Sequence, residues 1–137
     1  MTLLNISAGP YNFKALMETE KAPETCRVFE ELLPFKNKII QARWSGESAW
    51  IPLGDLDLDL SYENQTAFPS KGEILLYPGG ISETEILFPY GSTSFNCKSG
   101  QLTGNHFLTI TEGFENLKAL GELVLWQGAQ DIIFEKA

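Results

Sequence analysis

Residues 43–50 carry the densest set of side chains that could bind a small molecule. An arginine guanidinium is a planar fork that matches a carboxylate, and tryptophan rings supply apolar walls for a ligand. Gly46 permits a tight turn that would bring these groups together. The segment therefore predicts a site for a small polar or carboxylate-bearing ligand. The alternative is an ordinary hairpin whose tryptophans pack in the core and whose arginine pairs at the surface.

His106 is the only histidine in the chain. A histidine can act as a general acid or base near neutral pH, and Asn105 beside it could orient a ligand. A metal site with several histidine ligands is excluded, and no Gly-x-Ser-x-Gly motif marks a nucleophile. In a cleft, His106 and Arg43 would be the candidate catalytic residues. The alternative is a loop or strand-edge histidine whose ring is satisfied by the backbone.

Glu83 and Glu85 stand two residues apart, after the glycine-rich stretch that begins at Tyr77. In a strand they would point to the same face, where they could bind an amine or act as acid and base. We favour a solvated strand end for this pair. The stretch before them lacks the glycine order of phosphate-binding loops and does not open a helix.

Asp55, Asp57 and Asp59 alternate with leucines. Calcium loops also begin Asp-x-Asp-x-Asp, but the glycine of the sixth position is Leu60 here and the glutamate of the twelfth is Thr66. The alternation favours a half-buried strand or a pinned loop with its acids in water. The sequence predicts no metal site and no cofactor.

The chain has 137 residues, with 18 acidic and 10 basic side chains and a net charge of −8. This length predicts a single domain over residues 1–137. An acidic chain without a basic cluster is a poor partner for nucleic acid or an anionic membrane. Cys26 and Cys97 fit no metal or redox spacing, which favours two reduced thiols and leaves a disulfide between them open. The N-terminus has no signal-peptide pattern, so we expect a cytoplasmic protein.

Short apolar runs separated by glycine and proline predict about eight strands and two helices. Pro23 fits the first position of the first helix, Pro34 ends it, and Phe114 begins the second. This content in a short chain predicts a mainly β fold, a closed eight-stranded barrel with two short helices. The predicted strands cover residues 3–7, 12–17, 38–44, 50–53, 73–77, 85–88, 107–110 and 131–134.

Three stretches resemble the cyclophilins. Residues 13–18 and 22–32 are similar to the opening strand and first helix of that family, with its Ala/Pro-x-Thr-x-x-x-Phe-x-x-Leu pattern. Residues 110–117 resemble its strand-Glu-Gly-helix junction. Residues 72–80 and 85–91 resemble the small prokaryotic cyclophilin-like barrels. The resemblance implies a cyclophilin-like barrel, closest to an uncharacterised bacterial domain-of-unknown-function family with that fold.

The sequence departs from the cyclophilin isomerases at their catalytic motifs. Those enzymes carry an arginine in a Phe-His-Arg stretch and an aromatic-x-x-Gln-Gly-Gly loop, and neither is present. The residues from Leu102 to His106 resemble the Leu-x-Gly-x-His that supplies a cleft histidine in that family. Gln101, however, stands where those enzymes have a ligand-contacting tryptophan. An enzyme, either a weak prolyl isomerase or an unknown small-metabolite catalyst, is therefore kept as an alternative function.

We expect the protein to bind a small ligand in a cleft on the side of the barrel. Arg43 would hold an anion there, and His106 would donate a hydrogen bond or move a proton. A third reading is an interaction module without catalysis, which forms a homo-oligomer through an exposed aromatic or edge-strand surface. The predicted ligand-binding residues are Arg43, Trp44, Glu47, Ser48, Trp50, Tyr77, Glu83, Tyr90, Asn105 and His106.

Overall fold

A computed structural model describes all residues from 1 to 137. The fold is mainly β, with two α-helices and one 3₁₀ turn at Phe114–Asn116. The helices are α1 (Pro23–Glu31) and α2 (Leu117–Gln127). The strands are β1 (Leu3–Ala8), β2 (Tyr11–Met17), β3 (Phe35–Gln41), β4 (Gly46–Gly54), β5 (Gln65–Thr66), β6 (Glu73–Tyr77), β7 (Thr84–Thr93), β8 (Asn96–Cys97), β9 (Gly100–Gln101), β10 (Gly104–Glu112) and β11 (Gln130–Lys136).

Eight of the strands close into a barrel. Their order is β2-β1-β11-β3-β4-β7-β6-β10, and β10 pairs back onto β2, so the sheet has no free edge between them. Every neighbouring pair is antiparallel. β5 adds to the end of β10, and β8 with β9 forms a separate hairpin. The predicted closed eight-stranded barrel with two helices is confirmed.

The alternation of side chains along the strands fills the interior. In β1, Leu4, Ile6 and Ala8 are buried while the residues between them are partly exposed. This period of two places every second residue inside the barrel. β1 and β2 are joined by a tight turn, with Gly9 at φ 55° in the left-handed region that favours glycine.

Helix α1 packs its apolar stripe onto the core through Phe29. The Phe29 ring lies 5.1 Å from the Phe107 ring and 5.3 Å from the Phe134 ring, both edge-on. Edge-to-face packing suits the negative faces and positive edges of aromatic rings. The helix N-terminus is held by Glu63, whose carboxylate accepts the backbone N–H groups of Glu24 and Thr25 at 2.8 and 2.9 Å. A carboxylate at this end of a helix also interacts favourably with the positive end of the helix dipole.

Helix α2 follows a 3₁₀ turn rather than starting at Phe114, so its first predicted residues are in the tighter helix. Leu117, Leu120 and Val124 face the core. Gly121 lies against the ring of Tyr90, since a Cβ at Gly121 would lie 2.1 Å from a ring carbon. No helix of the structure is both long and apolar enough to cross a membrane.

A second apolar cluster lies on the outer face of β6 and β7. Leu75, Tyr77 and Leu87 are fully buried there under Phe95 and Leu102, which come from the segment around the β8–β9 hairpin. β6 and β7 are therefore covered on both faces, by the barrel core on the inside and by this second apolar cluster on the outside. This cover creates the cavity described below.

The aspartate-leucine alternation does not form a strand. Residues 55–64 contain no helix or strand, and the three aspartates among them are exposed. Leu58 and Leu60 pack against the core, so the segment is a pinned loop, one of the two predicted alternatives. The Asp57 carboxylate accepts the backbone N–H of Asp59 at 2.9 Å.

Candidate functional site

A cavity of about 430 Å³ lies on the side of the barrel, and we call it the side cavity. Its walls come from three places: residues 40–45 with Trp50, the segment from Ser82 to Glu85, and residues 96–98 of the β8–β9 hairpin. A volume of this size lies within the range of small-molecule sites.

The turn between β3 and β4 forms one wall. Gly46 has φ 83°, and a Cβ there would lie 2.8 Å from the Ser92 carbonyl oxygen, so the turn requires glycine. The Gln41 side-chain amide donates to the carbonyl of Ala42 at 3.2 Å and to that of Gly46 at 3.1 Å. The Tyr90 hydroxyl in turn donates to the Gln41 side-chain oxygen at 2.6 Å. The backbone of the turn is thus fixed from two sides.

Ser45 joins this turn to the β8–β9 hairpin. Its hydroxyl donates to the Asn96 carbonyl at 3.2 Å and accepts the Asn96 backbone N–H at 3.1 Å. Ser45 is buried, so both bonds are shielded from water. The two walls of the side cavity are therefore tied together by one hydroxyl group.

The rim of the side cavity carries two cations and an exposed aromatic ring. Arg43 and Lys98 are both exposed, and neither forms an ion pair or a side-chain hydrogen bond within the chain. Trp44 is 52% exposed, while Trp50 packs against the outer apolar cluster. The rim thus offers positive charge beside apolar surface.

The buried part of the lining is acidic. Glu85 is only 6% exposed, yet its carboxyl group has no hydrogen-bond partner in the chain. Burial, followed by the charge of Glu83, raises the pKa of Glu85 to about 8 because both disfavour the ionised form. Our expectation that this pair is a solvated strand end is wrong for Glu85, which is buried at the lining of the side cavity, while Glu83 is exposed.

Four of the predicted ligand-binding residues line the side cavity: Arg43, Trp44, Trp50 and Glu83. Two further predicted residues, Glu47 and Ser48 of β4, do not. The Glu47 carboxylate accepts the backbone N–H of Ser92 at 2.9 Å and lies against Gly91. Ser48 is fully buried, and its hydroxyl has no partner.

The two predicted tyrosines support the cavity walls from outside the lining. Tyr77 is fully buried, and its hydroxyl accepts the backbone N–H groups of Ile81 and Ser82 at 3.0 and 3.2 Å. It thereby holds the loop that leads into Glu83. Tyr90 holds Gln41, as described above. Both act on the site through their neighbours.

Asn105 and His106 lie elsewhere. Asn105 is fully buried, donates to the Thr25 hydroxyl at 3.1 Å and to the Ser61 carbonyl at 3.0 Å, and accepts the Glu63 N–H at 3.1 Å. It anchors the loop that leads to Glu63. Its polar groups are therefore used within the fold.

His106 belongs to a different hydrogen-bonded group. Its Nε2 lies 2.8 Å from the Thr109 hydroxyl, which donates to Glu18 Oε2 at 2.5 Å. Because that hydroxyl gives its only proton to Glu18, the His106 Nε2 serves as the donor to Thr109. Two strands, β7 and β6, lie between β4 and β10 in the sheet. Three spacings of ~4.8 Å between neighbouring strands therefore separate β4 from β10 by about 14 Å around the barrel. The expectation that Arg43 and His106 share one cleft is corrected by this separation.

Sequence reasoning missed the contribution of the β8–β9 hairpin. Asn96, Cys97 and Lys98 line the side cavity, but strands of two residues give no periodic signal. In the sequence, these residues are marked only by the turn residues from Lys98 to Gly100, and such turns are too common to indicate a binding site. Cys26 and Cys97 are both free thiols. No three His, Cys, Asp or Glu side chains cluster so as to hold a metal ion.

A family model described as a protein of unknown function, DUF3830, matches residues 4–135. The chain belongs to the DUF3830 family. None of the curated proteins is similar enough to this DUF3830 chain to count as a relative.

Two solved structures share the fold of this DUF3830 chain. McbB in complex with tryptophan is 15% identical with a TM-score of 0.69, and the match covers 96% of this chain and 44% of that chain. The chain therefore spans less than half the length of McbB. The solution structure of the hypothetical protein AF2241 from Archaeoglobus fulgidus is 20% identical with a TM-score of 0.64, covering 99% of this chain and 95% of that chain. At these identities the likeness shows the fold alone.

Proposed function

We propose that this chain binds a small carboxylate-bearing molecule in the side cavity. The observation that carries the proposal is that Arg43 and Lys98, both without carboxylate partners, stand beside Trp44 and Trp50 on one cavity. A guanidinium binds a carboxylate through two parallel N–H···O bonds, and indole rings cover apolar ligand surface. Because the chain has a net charge of −8, these cations attract an anion by close contact and not by long-range steering.

The tryptophan complex of McbB gives independent support for this class of ligand. Tryptophan carries a carboxylate and an aromatic ring, and it is held by a protein that contains a similar fold. The low identity and partial coverage transfer no residue of McbB to this chain. The neighbour therefore supports the ligand class, and the residues proposed here come from the side cavity itself.

Indole-3-propionate is a suitable probe because it offers one carboxylate and one aromatic ring. We expect it to raise the melting temperature and to protect Cys97, which lines the cavity, from a thiol reagent. Arg43→Met should weaken the binding about tenfold or more, because a hydrogen-bonded charge contributes ~1.5–3 kcal/mol. Arg27→Met is the matched control, since Arg27 pairs with Glu24 and Glu31 on α1. Equal affinity in Arg43→Met and wild type would overturn the role of Arg43, and no binding at millimolar probe would overturn the proposal.

A second candidate function is an interaction module that forms a homo-oligomer through α2. Trp126 is 77% exposed and Leu125 is 50% exposed, consecutive residues near the end of that helix. Large apolar side chains exposed in one region of the surface are a common feature of protein interfaces. A mass measurement by light scattering on wild type and Trp126→Glu tests this. A monomeric wild type at high concentration would rule the candidate out.

We also propose the finer assignments that the family match leaves open. The likeness of residues 13–18, 22–32 and 110–117 to cyclophilins supports a cyclophilin-like barrel, and the single domain and the bacterial, cytoplasmic setting remain part of that proposal. Prolyl isomerase activity is not proposed, because Arg43 and His106 lie on strands or turns that two other strands separate.

A further inference from the structure

The acidic end of the side cavity has a feature that carboxylate binding does not use. Glu85 lies on β7, opposite Pro52 of β4 and Tyr77 of β6 in the sheet register. It is more than nine-tenths buried, lines the cavity, and has no hydrogen bond or ion pair within the chain. Ser48 Oγ is the one side-chain oxygen that is fully enclosed without a partner, so the Glu85 carboxyl oxygens remain open to the cavity and can reach a group that enters it.

The charged and titratable groups around Glu85 do not supply that partner. From the cavity, Arg43, Glu83, Cys97 and Lys98 face the same space, and none bonds to Glu85. Across the sheet, the Tyr77 hydroxyl oxygen accepts the N–H groups of Ile81 and Ser82, and the hydroxyl forms no bond to Glu85. Because burial and Glu83 raise the pKa of Glu85 to about 8, its carboxyl group holds a proton at neutral pH. A cation that enters the cavity would favour the ionised form of Glu85, and the carboxyl group would then lose this proton.

We propose that the side cavity takes an amino carboxylate, with Glu85 and Glu83 receiving the ligand's ammonium group and Arg43 with Lys98 holding its carboxylate. The carboxylate half rests on the proposed function above. The ammonium half rests on the unpartnered Glu85 carboxyl and the second acid beside it. Two acids and two bases that line one cavity without pairing together match a molecule that carries both charges.

The binding step has a definite proton balance. The ligand enters as a zwitterion, the Glu85 carboxyl group loses its proton to water, and an ion pair forms between the carboxylate and the ammonium group. No other bond is made or broken. Close to one proton is therefore released for each ligand bound near neutral pH, since Glu85 is protonated in the empty protein. Affinity for the amino carboxylate accordingly rises with pH until the pH reaches about 8, the pKa of Glu85 in the protein without ligand.

Phenylalanine and 3-phenylpropionate form a matched pair of probes, because they share the ring and the carboxylate and differ in the amine. Calorimetry in two buffers of different ionisation enthalpy measures the proton release directly. We expect phenylalanine to bind more tightly and to release nearly one proton, and 3-phenylpropionate to bind without release. Glu85→Gln should lose about tenfold or more in phenylalanine affinity together with the proton release, and keep its affinity for 3-phenylpropionate. Glu115→Gln, an exposed site outside the cavity, is the control variant.

The outcomes separate the two proposals. If 3-phenylpropionate binds and phenylalanine binds no better or releases no proton, the ammonium site is overturned and the carboxylate site stands. If Glu85→Gln still releases the proton, Glu85 is not the receiving group and the inference fails. If neither compound protects Cys97 at millimolar concentration, the proposed function and this inference both fail.

Discussion

Glu85 and Arg43 line the same cavity without forming an ion pair. Arg43 is exposed at the rim, whereas Glu85 is buried against the outer face of β7. Neither group is neutralised by a partner from the chain, and the buried one carries its proton instead. This arrangement costs stability at high pH and leaves both groups available to a ligand.

Glu85 makes the stability of the protein fall as the pH rises. Its pKa is raised from 4.5 to about 8 in the fold, so between these values the folded state keeps a proton that the unfolded state has lost. One proton is worth ~1.4 kcal/mol per pH unit, so Glu85 alone lowers the free energy of unfolding by up to about 3 kcal/mol between about pH 5.5 and about pH 7.5. Glu85→Gln should remove this loss, as urea unfolding at the two pH values would measure. Glu115→Gln, at an exposed site outside the side cavity, is the control, and an unchanged slope in Glu85→Gln would contradict the prediction.

The two thiols should react very differently. Cys26 is 2% exposed, and its burial, together with the Glu63 charge, raises its pKa to about 12. Cys97 lies on the side cavity. Since the thiolate is the reactive form, a thiol reagent should label one cysteine in the native protein and two after denaturation. Mass spectrometry of intact Cys97→Ser should show no native labelling, and labelling of that variant at the wild-type rate would contradict the assignment.

Ser45 and Ser48 should respond oppositely to alanine. Ser45 bridges the β3–β4 turn to Asn96 through two buried hydrogen bonds, so Ser45→Ala leaves buried partners unsatisfied and should cost ~1–3 kcal/mol. The buried Ser48 hydroxyl has no partner, so Ser48→Ala should leave the free energy of unfolding unchanged or raise it by up to about 1 kcal/mol. Urea unfolding of the two variants side by side makes the comparison. A larger loss in Ser48→Ala than in Ser45→Ala would contradict it.

Asn105 should be a stability residue with no direct effect on ligand binding. Asn105→Ala removes the hydrogen bonds to the Thr25 hydroxyl, the Ser61 carbonyl and the Glu63 N–H, which should cost ~2–4 kcal/mol. Asn12→Ala, at an exposed site, should cost less than about 0.5 kcal/mol. Thermal unfolding measures both. A loss of probe affinity in folded Asn105→Ala would place this residue in the site after all.

The sequence alone determined the barrel and the turn that carries Arg43. The barrel follows from local signals: alternation of apolar residues in β1, a continuous apolar run in β6, and glycine or proline between strands. The turn follows from Gly46, whose backbone conformation is a property of a few adjacent residues. Boundaries were less exact, because β3 ends at Gln41, three residues before the predicted end, where the turn begins.

Only the tertiary structure decided which side chains meet in the site. Lys98 and Cys97 reach the cavity because Ser45 ties their hairpin to a turn some fifty residues earlier in the chain, and no local pattern records that contact. Glu85 is buried at a cavity whose walls include residues 96–98 and residues 40–45, both distant from it in the sequence. His106 is kept apart from Arg43 by the strand order of the closed barrel. Residue type determines the chemical groups that a side chain carries. The packing of distant segments determines its burial and its neighbours, and these decide its charge state and which groups it can contact.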